Sequence, residues 1–133
     1  MSSTGYRAPA RRMLLVEDDA FILSALELLL EPFFEVQPVS DGANAERWLA
    51  KRRFDVAFVD YMLPDTNGIE LLRRLREIDP AVRRVVTSGW LIPELISLVA
   101  SGLVHAFVLK PAPPEEIVRV CTESSSNPRR FTW

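Results

Sequence analysis

Five times along this chain a short apolar run gives way to a longer stretch whose apolar residues recur every three or four positions. The runs Met13–Val16, Glu35–Val39, Phe54–Asp60, Arg84–Ser88 and Ala106–Leu109 have the length and composition of strands. Helical stretches are expected at 20–31, 42–52, 67–78 and 92–101, with a fifth from Pro114 to Thr122. In the third, Ile69, Leu72, Leu75 and Ile78 form one buried face. In the first, Ile22, Leu26, Leu29 and Leu30 are expected to face the sheet, which leaves Phe21 or Leu28 partly outside. Asp41-Gly42 and Asn67-Gly68 stand where helices begin, and Pro114 with Glu115 and Glu116 suits a first helical turn at the positive end of the dipole. Strict strand–helix alternation leaves little choice of architecture. The expected fold is α/β: a doubly wound, five-stranded parallel sheet with helices on both faces.

At 133 residues the chain has room for one domain with a proper core. No apolar run is long enough to span a membrane, and the opening "MSSTGYRAPARR" has no apolar core of a secretion signal, so a cytoplasmic protein without membrane insertion is expected. Cys121 is the only cysteine, which excludes an internal disulfide and a cysteine metal cluster. Of the chain's 16 basic and 18 acidic residues, 11 and 17 fall in 13–122. An acidic body of this kind argues against direct binding of nucleic acid. The basic residues 1–12 are expected to be a flexible tail, and 123–133 a poorly ordered one from which Trp133 docks.

In a parallel α/β sheet ligands bind along the edge formed by the C-terminal strand ends. Here those ends carry Glu17 and Asp18, then Asp60, then Thr87 and Ser88, and finally Lys110. Any one of these groups alone is ordinary loop chemistry. Three carboxylates, a hydroxyl and an ammonium on one edge are not. Carboxylates so close must share a proton or a cation, and an all-oxygen ligand set suits Mg²⁺. Asp60 beside such an ion is placed to be a nucleophile toward a phosphoryl group, with Lys110 and a hydroxyl holding its other oxygens. Lys110 is one of only two lysines against 14 arginines, which fits a site that wants a compact point charge.

The stretches "LLVEDD", "FVDYMLPDTNG", "VVTSGW" and "FVLKP", in this order and at these intervals, resemble the receiver domain of two-component response regulators, with its CheY-like (flavodoxin-like) (βα)5 fold, over roughly residues 12 to 122. The resemblance implies that Asp60 is the phosphoacceptor. It implies that Asp18 holds Mg²⁺ directly, Glu17 through water, and the backbone carbonyl of Met62 as a further ligand. Lys110 matches the family's lysine, and Lys110-Pro111 matches a bond that is cis in the family. Thr87 and Ser88 face opposite ways on a strand, and Ser88, followed by the small Gly89, matches the switch hydroxyl. Phe107, three before Lys110, matches the aromatic switch residue, whose ring turns inward when the hydroxyl moves, and is equally readable as an ordinary apolar strand residue. Met62 and Trp90, two beyond the acceptor and two beyond the hydroxyl, match positions that influence hydrolysis of the acyl phosphate.

The expected function is that of a single-domain response regulator. It would accept phosphate from a phosphohistidine of a histidine kinase or histidine phosphotransfer protein, in a phosphorelay or a simpler signalling pathway, and act on a downstream protein by contact. It would not be an enzyme beyond slow autodephosphorylation. The alternatives are a pseudo-receiver that binds without phosphorylation, and a Mg²⁺-dependent phosphohydrolase with an aspartyl nucleophile. Competent chemistry at every site position weighs against the first. The nucleophile's place on the third strand weighs against the second. Of the remaining polar and aromatic residues, His105 is expected to be a loop residue without a ligand partner, Asp65 a turn former, Trp48 packing, and Cys121 a small buried residue on a short last helix.

Overall fold

The computed structural model describes residues 11–123 and the backbone of 131–132. The elements are β1 (Arg12–Val16), α1 (Ala20–Leu30), β2 (Glu35–Val39), α2 (Gly42–Lys51), β3 (Val56–Asp60), α3 (Gly68–Ile78), β4 (Arg83–Ser88), α4 (Leu95–Ala100), β5 (Ala106–Leu109), α5 (Pro114–Thr122) and β6 (Phe131–Thr132). The sheet order is β2-β1-β3-β4-β5-β6, and every pairing is parallel. The five expected strands are all present. The two-residue β6, from the segment expected to be disordered, adds a sixth at the β5 edge. Residues 1–10, 124–130 and Trp133 lie outside the described residues, and with them most of the two expected tails. Arg12 belongs to the domain: it opens β1, and its guanidinium donates to Glu35 at 2.6 Å.

Side-chain alternation along the strands builds two cores. Leu14, Val16, Ala57, Val59, Val86 and Phe107 face the α2, α3 and α4 side, while Met13, Leu15, Val56, Phe58, Val85 and Val108 face α1 and α5. Because both faces are covered, the strands are apolar almost throughout. Helix starts are set by side-chain caps: Asp19 accepts from Phe21 and Ile22, Asp41 from Asn44, and Asn67 from Glu70. Pro114 occupies the first turn of α5, as its fixed φ favours.

Three local expectations are corrected. On α1 the inward ridge is Leu23, Leu26 and Leu30, and Ile22 and Leu29 are exposed. On α3 Leu71 is buried and Ile78, in the last turn, is exposed. α4 begins at Leu95 instead of residue 92, because Pro93 disfavours helical backbone at Ile92 and the segment first makes a turn.

The step from β3 to α3 is unusually close. The Gly68 N–H donates to the Tyr61 carbonyl at 2.7 Å, and a Cβ on Gly68 would sit 2.6 Å from the Asp60 carbonyl oxygen and 2.9 Å from the Tyr61 Cα. Both obstacles are backbone, so nothing flexible can give way. Gly68→Ala is expected to lower the unfolding free energy by about 2 kcal/mol, in the range of other overpacking substitutions. Gly89→Ala, where a Cβ meets nothing within 4 Å, should leave it nearly unchanged. Urea denaturation midpoints test this, and similar midpoints for the two variants would refute the steric account.

Candidate functional site

β1 and β3 are sheet neighbours, although they are not consecutive strands, so their C-terminal ends lie side by side where the chain changes direction across the sheet. Glu17 follows β1 and Asp60 ends β3, and both are almost wholly buried, at 3% and 6% exposure. Asp18 is exposed beside them. One carboxylate oxygen from each of the three can be chosen so that all lie within 4.8 Å of one another. Among the described residues this cluster alone groups three or more acidic or soft ligand side chains closely enough for a metal ion.

Lys110, just beyond β5, closes the cluster. Its Nζ donates to Asp60 Oδ2 at 2.7 Å and to Glu17 Oε1 at 3.3 Å. The Lys110–Pro111 bond is cis. The second oxygen of each buried acid is held by backbone: Asp60 Oδ1 accepts from the Met62 N–H at 3.1 Å and Glu17 Oε2 from the Asp19 N–H at 3.1 Å. Ser88, at the end of β4, is buried, and its Oγ accepts from the Trp90 N–H at 3.1 Å. Thr87 turns to the opposite face and donates to the Val108 carbonyl at 2.8 Å. Phe107 is fully buried in the core beneath α4. Met62 and Trp90 are exposed, and the Trp90 ring meets Tyr61 edge-on at 6.4 Å.

The electrostatics follow from one ammonium serving buried acids. Burial pushes the Glu17 carboxyl above its ordinary 4.5, and the hydrogen bond and charge of Asp60 push it further, against the Asp19 N–H and Lys110. For Lys110, burial acts downward, but the hydrogen bond to Asp60 and the charges of Asp60 and Glu17 prevail, and the net shift is upward from 10.5. Burial alone holds the Cys121 thiol up at about 12, so it is inert packing as expected.

His105 lies in the loop before β5 and outside the acidic cluster, as expected, and its Nδ1 accepts the Arg84 N–H at 2.8 Å. Asp65 does more than form a turn: its carboxylate accepts from the Gly42 and Ala43 N–H groups at the start of α2. Arg84, passed over in the sequence, is buried and donates to the carbonyls of Leu103, Val82, Pro80 and Gly102. No local signal marks any of these, because each depends on the approach of another element. Trp48 does pack against the core, with Lys51 and Arg52 over its ring.

Comparison with known proteins matches the profile of the response regulator receiver domain to residues 13–122. The chain belongs to that family. It is 32% identical over 111 residues to the virulence transcriptional regulatory protein PhoP of Salmonella typhimurium, covering 80% of this chain and 48% of that protein. It is 30% identical over 107 residues to the hydrogenase transcriptional regulatory protein HoxA of Cupriavidus necator, covering 80% of this chain and 22% of that one. The chain thus spans less than half the length of these relatives. Among solved structures, a CheY-like receiver domain protein from Methanospirillum hungatei superposes with a TM-score of 0.77 at 25% identity, covering 84% of this chain and 90% of that one. A structure titled adenylate cyclase from Rhodopirellula baltica gives 0.78 at 29% identity, with 85% of each chain covered. Both likenesses agree with the CheY-like (βα)5 architecture of this receiver domain. Among the described residues no helix is long and apolar enough to cross a membrane.

The raised Glu17 carboxyl makes a signed prediction for the metal-free protein. A folded-state pKa above the unfolded value contributes stability that is complete below about pH 4.5 and is lost as pH rises through the folded pKa. Glu17→Gln, which keeps the shape without the charge, should therefore raise the Tm in EDTA at pH 7.5, and the gain should disappear near pH 4. A gain of the same size at both pH values would show that charge is not the cause. Lys110 has the same sign, and its contribution should fade only above about pH 10.5.

Proposed function

We propose that this receiver domain accepts a phosphoryl group on Asp60 from a phosphohistidine of a histidine kinase or phosphotransfer protein, in a Mg²⁺-dependent reaction, and signals through protein contacts. The observation that carries this reading is the setting of Asp60: buried at a strand end, held by Lys110 at 2.7 Å and the Met62 N–H at 3.1 Å, beside two further carboxylates. A carboxylate fixed on both oxygens is oriented for attack, and its surroundings are a ready receptor for a cation. An Asp60 oxygen forms the new bond to phosphorus as the P–N bond of the phosphohistidine breaks, and the imidazole leaves with that electron pair. Lys110 then has a phosphoryl oxygen to neutralise as well as the carboxylates.

The donor set fits Mg²⁺. Asp18 and Asp60 would hold it directly, Glu17 through water, and the Met62 carbonyl would complete the protein's share. A bound Mg²⁺ would supply positive charge against the incoming phosphoryl oxygens. The Ser88 hydroxyl, whose oxygen already accepts from Trp90, keeps its own proton to give to a phosphoryl oxygen. Ser88 and Phe107 are the proposed switch pair, and both side chains are buried. Replacing carboxylate by amide in Asp60→Asn should abolish labelling by acetyl phosphate with the far-UV spectrum unchanged. Undiminished labelling of that variant would remove Asp60 as the acceptor.

Met62 and Trp90 frame the site without a carboxylate or amide to orient an attacking water, and the Trp90 indole stands against Tyr61. The phosphorylated protein should lose phosphate slowly, as suits a relay intermediate that returns phosphate to histidine. Met62→Asn and Trp90→Glu should shorten its lifetime in Mg²⁺ buffer, and a wild type that decays as fast as these variants would contradict the shielding.

Contact with the donor falls on α1. Phe21 is 82% exposed and Leu28, two turns on and on the same side of the helix, is 66% exposed, so neither seals the domain's own core. Beside them a largely apolar cavity of about 220 Å³ lies between α1 and α5, with Ile22, Leu26, Phe58 and Lys110 among its walls. A helix of the partner presenting apolar side chains and its histidine fits this surface. Phe21→Ala should slow phosphotransfer from the kinase several-fold and leave labelling by acetyl phosphate unaltered; equal slowing of both would place Phe21 in the reaction itself and not in docking.

A further inference from the structure

Asp65 stands at the tip of the segment between β3 and α3, exposed and outside the acidic cluster. Its carboxylate spans to another helix. Oδ1 accepts the Gly42 N–H at 2.9 Å and Oδ2 the Ala43 N–H at 3.0 Å, while Asp41 takes the Asn44 N–H at 2.8 Å. The first three N–H groups of α2 are therefore divided between one local acid and one from 23 positions on. A carboxylate at a helix N-terminus is electrostatically favoured, and the Gly42 N–H above all holds the Asp65 carboxyl below its ordinary 3.8. The fit is close: a Cβ on Gly42 would lie 2.8 Å from the Thr66 Cγ2 and 3.4 Å from Asp65 Oδ1.

The same segment carries Met62. At its base it is closed by the Met62–Asn67 bridge and by the Gly68 N–H on the Tyr61 carbonyl, Leu63 packs against the core, and at its tip two hydrogen bonds from Asp65 fasten it to α2. A short segment tied at base and tip has little freedom to move a carbonyl. We infer that Asp65 is a positioning residue, which by tying the β3–α3 segment to α2 holds the Met62 carbonyl in place and couples cation binding at Asp60 to the N-terminus of α2. The inference rests on the proposed Mg²⁺ site. It adds to that reading a residue that touches neither the ion nor the phosphoryl group.

The test uses the whole chain and Mg²⁺ alone. Binding is followed by titration calorimetry, and amide exchange at Gly42 and Ala43 by NMR, for wild type, Asp65→Ala and Asp65→Asn. Asp65→Ala should weaken Mg²⁺ binding roughly tenfold, the low end of what loss of an outer support costs at a metal site. Asp65→Asn, whose amide keeps one acceptor oxygen, should fall between. In labelling by acetyl phosphate the half-saturating Mg²⁺ should rise in the same order. Mg²⁺ should slow exchange at Gly42 and Ala43 in the wild type and not in Asp65→Ala. Wild-type Mg²⁺ affinity in both variants, whatever their loss of Tm, would overturn the inference and reduce Asp65 to a helix cap. Failure of the wild type to bind Mg²⁺ would instead remove the metal reading, and this inference with it.

Discussion

Glu17 and Asp60 are buried side by side at the ends of neighbouring strands, and the Lys110 ammonium answers both, at 3.3 and 2.7 Å. Two carboxylates out of water repel, and unpaired they would cost several kcal/mol each. The pairing is possible only because β1, β3 and β5 all run the same way and release their chains at one edge. Local sequence could not bring Lys110 within reach of Glu17, 93 residues earlier. With Asp18 added, three acids still face one base, so the cluster is short of positive charge by its construction. That shortage links the packing of the domain to its proposed chemistry.

The opposite end of the sheet solves a buried-charge problem in another way. The buried Arg84 guanidinium is satisfied by four backbone carbonyls from the α3–β4 and α4–β5 connections. Burial lowers its pKa, yet its fan of donors suits several carbonyls that would otherwise lie unpaired in the interior. Such a cation is fully engaged and offers nothing to a ligand. At the site edge the Lys110 ammonium is a single compact point of charge that can be shared with a newcomer. The residue types follow the need.

The fold was legible because period is a local property: five apolar runs and five helical stretches identify the parallel sheet without knowledge of any contact. Site residues were legible for a related reason, since strand ends in a parallel sheet are all delivered to one edge. Alternation said that only one of Thr87 and Ser88 can face the site, the family resemblance chose Ser88, and the Thr87 hydroxyl is committed to the Val108 carbonyl on the other face. What could not be read depends on how elements approach. The inward ridge of α1 is Leu23, Leu26 and Leu30, and an almost wholly apolar helix leaves several ridges among which only its packing on the sheet decides. The reach of Asp65 to α2, the His105 acceptor and the β6 strand are likewise products of tertiary placement.

One local device recurs at the site edge. Glu17 accepts the N–H of Asp19, Asp60 that of Met62, and Ser88 that of Trp90, each two residues on, as the chain leaves its strand. Short polar side chains commonly fold the following backbone in this way. Here the side chains concerned are also those that line the candidate site. Each one therefore shapes the loop that frames it. A ligand that takes Asp60 Oδ1 must share that oxygen with the Met62 N–H or displace it, and one that draws the Ser88 hydroxyl toward itself changes what holds Trp90. Both loops lead into helices, α3 and α4. A ligand that altered these hydrogen bonds would therefore alter the turns from which both helices start.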